Sequence, residues 1–214
     1  MFENEDQIKD AILNGDLEDF ISHGILESVP HAFNRDLKAW IVWKTELAGL
    51  LEVDPKDVIL TGSAAVGFSL NPKKDFSPFT KESDFDCGII SPYHFDQAWR
   101  YLRDQRVDWL TISGEQKRAI RQHRESYVFD GTIATDKILH LLPFGRDWQS
   151  ALDLMSATEM AAGRDVKLRI YRDFQSLRHY HSRGLTYLRD KVLSPADTIE
   201  TIPTQSGECD TEAA

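Results

Sequence analysis

The segment that most constrains the fold is SDFDCGII, residues 83–90, because an apolar run there carries two carboxylates one residue apart. Side chains alternate across a β-strand, so Asp84 and Asp86 are predicted on one face. Phe85 and Cys87 are then predicted to face the core. Neighbouring carboxylates repel, and the pKa of one rises strongly unless a cation lies between them. The pair therefore predicts either a divalent metal site or, as the simpler alternative, the wet face of an edge strand.

Composition limits the class of protein. The chain has 214 residues, which fits one domain or one domain with a small appendage. Its net charge of -10 argues against a protein that coats nucleic acid nonspecifically, although a local basic groove is still compatible with it. Only two cysteines, Cys87 and Cys209, are present, so no disulfide framework is expected. The acidic N-terminus and the lack of a long apolar run predict a cytoplasmic protein that does not enter a membrane.

The pattern of apolar residues predicts an α+β fold, with a small mixed β-sheet and flanking helices. Helices are expected at residues 5–25, 34–51, 93–103, 114–126, 147–162 and 164–192. Strands are expected at residues 58–61 and 83–90 and twice within 127–144, with a loop at 71–82. This order divides the chain into N-terminal helices (1–53), a core (54–163), a basic C-terminal helix (164–193) and a tail that need not fold (194–214).

The dipeptide Gly62-Ser63 follows a short apolar strand and opens a run of small residues that can begin a helix. Such a turn can offer backbone N–H groups and a hydroxyl to a phosphate, although taken alone it is an ordinary turn. A phosphate cradle followed by a carboxylate pair is the minimum equipment for metal-assisted phosphoryl or nucleotidyl transfer. The two features together favour that function.

Gly62-Ser63 followed by SDFD, with apolar residues around both, resembles the signature of the DNA polymerase beta-like nucleotidyltransferase superfamily. The segment ILHLLPFG (138–145) is similar to a later strand of that family, and the resemblance covers about residues 58–189. It implies transfer of a nucleoside monophosphate from a nucleoside triphosphate to the hydroxyl of a protein, a tRNA end, a small molecule or a nucleotide. Similar stand-alone bacterial proteins look like components of toxin–antitoxin and phage-defence loci, which implies a partner protein from the same locus.

The resemblance also implies roles for residues. Gly62 and Ser63 would bind the β- and γ-phosphates, and Asp84 and Asp86 would bind Mg²⁺ or Mn²⁺. Phosphate charge would be neutralised by lysines of the 71–82 loop, unless these are only solvated surface residues; the lysines are Lys73, Lys74 and Lys81.

Two departures from the family pattern stand out. The 71–82 insertion would be a lid or a piece that recognises the acceptor. His140 occupies the position expected for a third carboxylate, and three interpretations are open. His140 can act as a base or as a ligand for a softer metal, or Asp136 or Asp130 can supply the carboxylate. Alternatively, the protein is a degenerate member that binds a nucleotide without turnover and regulates a partner, as an antitoxin would.

The segment 164–192 is rich in arginine and lysine against an acidic whole chain. A basic helix beside the site could hold a triphosphate or a nucleic-acid acceptor, with Tyr171 and Tyr180 stacking on a base. Arg169 and Arg172 are the residues expected to face the site. For most of the other basic residues, a solvated helix face is the preferred interpretation.

Overall fold

Eight α-helices and four β-strands form the part of the chain that the computed structural model describes, residues 2–104 and 111–194. The strands are β1 (Val58–Leu60), β2 (Phe85–Ile90), β3 (Thr132–Ala134) and β4 (Val166–Tyr171). The helices are α1 (Glu5–Asn14), α2 (Leu17–Phe20), α3 (Leu37–Leu51), α4 (Gly62–Val66), α5 (Pro92–Asp104), α6 (Gly114–Gln122), α7 (Gly145–Ser156) and α8 (Phe174–Leu193).

The strands form one mixed sheet in the order β1-β2-β4-β3. The central pair, β2 and β4, is parallel, and β1 and β3 lie antiparallel to it on the two outer sides. The register of the central pair places Asp86 opposite Lys167 and Gly88 opposite Arg169. The predicted α+β class with a small mixed sheet and flanking helices is therefore confirmed.

The two faces of the sheet are covered differently. On one face, Phe85, Cys87 and Ile89 of β2 enter the larger hydrophobic core, to which α3, α5 and α7 contribute. On the other face, Ile90 and Tyr171 lie in a second core with residues of α1, α2 and α8. These contacts confirm the prediction that Cys87 is a buried apolar residue. The alternation of SDFDCGII thus places Phe85, Cys87 and Ile89 in the larger core, and Asp86 lies on the opposite face near the start of β2.

The N-terminal helix predicted at residues 5–25 is broken. α1 ends at Asn14, and Gly15 follows it with an extended backbone. Asp16 then caps α2, because its side chain accepts hydrogen bonds from the backbone N–H groups of Glu18 and Asp19. A short π-helix at Ile21–Leu26 completes the segment. A glycine followed by a strong N-cap residue outweighs the continuous apolar spacing on which the prediction was based.

Within residues 127–144 the prediction of two strands is wrong for the second. Only Thr132–Ala134 is a strand, and the ILHLLPFG segment contains a 3-10 turn at Leu139–Leu141. Ile138, Leu139 and Leu142 are all buried, and a compact turn allows the adjacent Ile138 and Leu139 both to enter the core, which an alternating strand would not do. The prediction assumed the two-residue period of a strand for ILHLLPFG, whereas the segment forms a 3-10 turn.

The continuous helix predicted at 164–192 is also wrong over its first part, which forms β4. Val166, Leu168 and Ile170 lie in the larger core at alternate positions, the period of a strand. α8 begins only after Asp173, whose side chain accepts a hydrogen bond of 2.7 Å from the backbone N–H of Ser176. The helix predicted at 147–162 is shorter as well, because α7 ends at Ser156.

The 71–82 segment is a loop, as predicted, and it is anchored to the rest of the molecule. Phe76 at its centre is fully buried in the second core. Among the described residues, no helix is long and apolar enough to span a membrane. The predicted disordered tail from residue 195 onward, with Cys209, lies outside the described residues.

Candidate active site

The candidate site lies at one end of the strands, where β1 and β3 finish and where β2 and β4 begin. Thr61, which follows β1, donates both its backbone N–H and its hydroxyl to the Asp86 carbonyl, at 2.7 and 3.0 Å. On the other side, Asp86 is in register with Lys167 of β4. Thr135, just after β3, donates its hydroxyl to the Leu168 carbonyl. Four chain segments are therefore tied together at this end of the strands.

The carboxylate pair is the centre of this site, and both Asp84 and Asp86 line the same cavity. The ammonium of Lys167 lies 2.6 Å from Oδ2 of Asp84, so the protein itself supplies a cation to the pair. Burial lowers the pKa of Lys167, but the hydrogen bond to Asp84 and the charges of the aspartates outweigh it and leave the pKa raised.

The pKa of the Asp86 carboxyl is raised to about 6, first because protein surrounds it and second because the charge of Asp84 is close. Lys167 and Arg169 partly offset this rise. The side chain still contacts solvent, because it lies within an open cavity. The sequence predicted a rise from repulsion within the pair; that repulsion contributes here, but burial is the larger cause.

Gly62 lies against the carboxylate of Asp86. Its φ of +60° is in the left-handed region, and a Cβ at this position would lie 3.0 Å from Oδ2 of Asp86. Ser63 follows within α4 and also lines the cavity. A glycine is thus favoured both by the backbone conformation and by the carboxylate beside it.

The cavity has a volume of about 740 Å³, toward the upper end of the roughly 300–1,000 Å³ usual for small-molecule sites. Its polar wall combines residues from the strand ends, the 71–82 loop, α7 and α8. These include Ser69, Asn71, Lys74, Ser77, Thr80, Thr135, Asp136, Gln149, Asp153, Lys167, Arg169, Tyr180 and His181.

Asp136 is a third carboxylate of the cavity. It follows Thr135, and its charge acts on both Asp86 and Lys167. The end of β3 that carries it is fixed by His123, whose buried ring accepts a hydrogen bond from the Ala134 N–H at 3.0 Å. Asp136, one of the alternatives that the sequence left open, therefore lies in the cavity of the pair, whereas Asp130 does not. Glu82, Asp153 and Asp165 line the cavity as well.

His140 is not brought to the site. It lies on the exposed 3-10 turn, outside the cavity wall, and its Nε2 lies 2.5 Å from the side-chain amide of Gln116. The expectation that it occupies the position of a third carboxylate depended on a strand that the chain does not form. Asp130 is also outside the cavity, where it forms an ion pair with Arg183 of α8 at 2.8 Å.

The predicted basic residues divide into two groups. Lys74 lines the cavity, whereas Lys73 and Lys81 are exposed and outside its wall. Arg169 lies in the wall, whereas Arg172 is exposed beyond the end of β4. The end of β4 explains the last difference, because the strand stops at Tyr171 and Arg172 lies outside it.

Arg169 is held in an aromatic environment. Its guanidinium carbon lies 4.5 Å from the ring centre of Tyr180 and 5.5 Å from that of Tyr127. Its Nη1 is buried without a hydrogen-bond partner, and so is Nε2 of the neighbouring His181. Burial, and then the charge of Arg169, lowers the pKa of His181 to about 4, so the ring is neutral at physiological pH.

Lys167 is the residue that the sequence did not single out for the site. In VKLRIY (166–171), apolar and charged residues alternate as they do at the start of the carboxylate strand. This alternation was the available signal for a strand that carries Lys167. Reading it as a helix put Lys167 and Arg169 on different faces, whereas a strand places both side chains on the same one.

The donor set fits a divalent cation of the Mg²⁺ or Mn²⁺ type. Asp84 and Asp86 offer hard oxygen ligands, and both line the open cavity. Within the described ranges, no group of three or more His, Cys, Asp or Glu side chains forms a complete metal site. Magnesium is commonly held by one or two carboxylates with substrate phosphates, so a nucleotide would complete this site.

Comparisons with protein-family models, with curated proteins and with solved structures find no match for this chain.

Proposed function

We propose that the protein is a metal-dependent nucleotidyltransferase built on a polymerase beta-like core. The observation that carries this proposal is the convergence of Gly62-Ser63, Asp84 and Asp86 in one cavity, although more than twenty residues separate them in the sequence. The order of elements supports it: a strand, a glycine-serine turn into a short helix, and then a strand that begins with the carboxylates. Lys167 and Arg169 add positive charge to the same cavity.

Each residue has a role in the proposed reaction. Gly62 and Ser63 would receive the terminal phosphates of the nucleoside triphosphate. Asp84 and Asp86 would hold Mg²⁺ or Mn²⁺, which when bound neutralises charge on the triphosphate and on the leaving pyrophosphate. Lys167 would add a second positive charge close to the reacting phosphate.

The reaction is a displacement at the α-phosphorus. The oxygen of the acceptor hydroxyl forms a bond to this phosphorus, while the bond from the α-phosphorus to the bridging oxygen of the β-phosphate breaks and pyrophosphate leaves. The hydroxyl proton passes to a base. Asp136 would take this role, because it lines the same cavity and its charge acts on both Asp86 and Lys167.

The test is release of pyrophosphate from each of the four nucleoside triphosphates, with Mg²⁺ and separately with Mn²⁺, and with a cell lysate as a source of acceptors. Asp84→Ala and Asp86→Ala should abolish release. Asp136→Asn should lower it by roughly a hundredfold or more, the usual range for a general base. His140→Ala should retain wild-type turnover, because His140 lies outside the cavity. Equal activity of wild type and Asp86→Ala would contradict the proposal.

A second candidate function is favoured by the ion pair between Lys167 and Asp84. A protein ammonium at 2.6 Å from one carboxylate can take the place of a metal ion and hold a nucleotide without turnover. The protein would then be a degenerate nucleotidyltransferase that regulates a partner protein when a nucleotide is bound. Nucleotide binding without pyrophosphate release in any arm of the assay, lysate included, would select this function.

A further inference from the structure

The order of the strands divides the cavity into two sides. Gly62 and Ser63 follow β1, on one side of the carboxylates of β2. Lys167 and Arg169 of β4, and Asp136 after β3, lie on the other side. In a displacement at phosphorus, the attacking and leaving oxygens lie on opposite sides of the transferred group. If pyrophosphate leaves toward Gly62-Ser63, the acceptor approaches from the side of β4 and β3.

The acceptor side carries an unsatisfied positive charge. Arg169 contacts tyrosine side chains in the described chain, and Asp86 and Asp136 act on it only as more distant charges. Its Nη1 is buried without a partner. Buried charges in proteins are normally paired, so this guanidinium lacks an anion. The unpartnered Nε2 of the neutral His181 is a second hydrogen-bonding group at the same place.

We propose that Arg169 and His181 bind a phosphate of the acceptor, so that the hydroxyl which receives the nucleoside monophosphate belongs to a phosphate ester of a sugar. This inference rests on the proposed function and names its acceptor class. An uncharged protein side chain or a plain sugar would leave Arg169 without its anion. A free nucleotide and a nucleic-acid end share this chemistry.

The experiment measures binding and does not depend on turnover. Ribose phosphate and ribose are titrated into the full chain by calorimetry, in the absence of metal. These ligands carry no nucleobase, so the result does not depend on base preference. The proteins are wild type, Arg169→Met, Arg169→Lys, Ser63→Ala and Arg172→Met. Arg172 is the matched control, because it is an exposed arginine three residues further along the chain and outside the cavity.

The expected result is that wild type binds ribose phosphate and not ribose. Arg169→Met should weaken this binding by roughly tenfold or more, since a buried charge partner is lost, whereas Arg169→Lys should keep part of it. Arg172→Met should bind as wild type does, and Ser63→Ala reports whether ribose phosphate occupies the proposed triphosphate cradle instead. Circular dichroism and the melting temperature check that Arg169→Met is folded. Unchanged binding by folded Arg169→Met, or loss of binding in Ser63→Ala instead, would overturn the inference.

A mononucleotide and a short single-stranded RNA, titrated in the same way, distinguish the two sources of the phosphate. Arg169-dependent binding of either one supports the inference and identifies its source, and binding of neither overturns it. The pyrophosphate assay is read separately. Arg169-dependent phosphate binding in a protein that releases no pyrophosphate would leave this subsite standing and reject the enzyme.

Discussion

Gly62 combines two constraints that can be separated by mutation. Its positive φ disfavours any side chain, and the carboxylate of Asp86 occupies the space where a Cβ would point. Gly163 has a similar φ of +79°, but nothing lies within 4 Å of the position of its Cβ. The pair therefore distinguishes the cost of backbone strain from the effect on the site.

We expect Gly62→Ala and Gly163→Ala each to lower the free energy of unfolding by about 1–2 kcal/mol, the cost of a left-handed conformation. Only Gly62→Ala should also weaken the binding of a nucleotide with Mn²⁺, by roughly tenfold, because it displaces Asp86. Urea unfolding and calorimetry measure the two quantities. Equal nucleotide affinities in the two variants would show that Gly62 is only a turn residue.

Lys167 already pairs with Asp84, so it would compete with the proposed metal ion for this carboxylate. A dication that binds the carboxylate pair must share Asp84 with the ammonium or displace it, and two cations at short range repel. Lys167→Met should therefore bind Mn²⁺ more tightly than wild type in the absence of nucleotide, by roughly tenfold. Paramagnetic resonance of free Mn²⁺ measures this affinity.

The stability of Lys167→Met should change by less than about 1 kcal/mol, because both members of the ion pair are partly exposed. Asp84→Asn serves as the opposite control and should bind Mn²⁺ more weakly than wild type. If Lys167→Met also loses Mn²⁺, then the ammonium positions Asp84 for the metal and does not compete with it.

At the scale of elements, the carboxylate strand was predictable and its partner strand was not. In SDFDCGII the alternation of acidic and apolar residues fits only a strand, and the structure has one at Phe85–Ile90. VKLRIY also alternates between apolar and other residues. Its basic residues continue into the long helix that follows, so the whole segment was predicted as one basic helix. The pairing of VKLRIY with β2 and β3 makes it a strand, and pairing between distant segments is not visible in one sequence.

The third carboxylate shows the same limit. The segment from Asp136 to Leu142 holds four apolar residues whose spacing suits a strand or a turn. The structure forms a turn because Thr135 is tied to Leu168 of β4 and its carbonyl accepts hydrogen bonds from two N–H groups of the next turn. This choice takes His140 out to the surface and leaves Asp136 at the cavity. Residue type alone could name both candidates, but tertiary contacts selected one.

The response of the whole molecule to acid follows from its buried histidines. Burial lowers the pKa of both His123 and His181 to about 4, from 6.5 in the unfolded chain. Between these pH values the unfolded state binds more protons than the folded state, so the free energy of unfolding falls as the pH falls. Asp86 has the opposite sign, because its pKa is raised to about 6, but solvent in the cavity reduces its share.

His123 should dominate, because its ring is 1 % exposed and holds the Ala134 N–H beside Asp136. Its shift corresponds to a loss of about 3 kcal/mol as the pH falls from about 6.5 to about 4. His123→Gln cannot titrate, and it should lose correspondingly less stability over this interval in urea unfolding. His179→Gln, at an exposed position of α8, is the control and should follow wild type. If His123→Gln and wild type show the same dependence on pH, the acid sensitivity comes from another group.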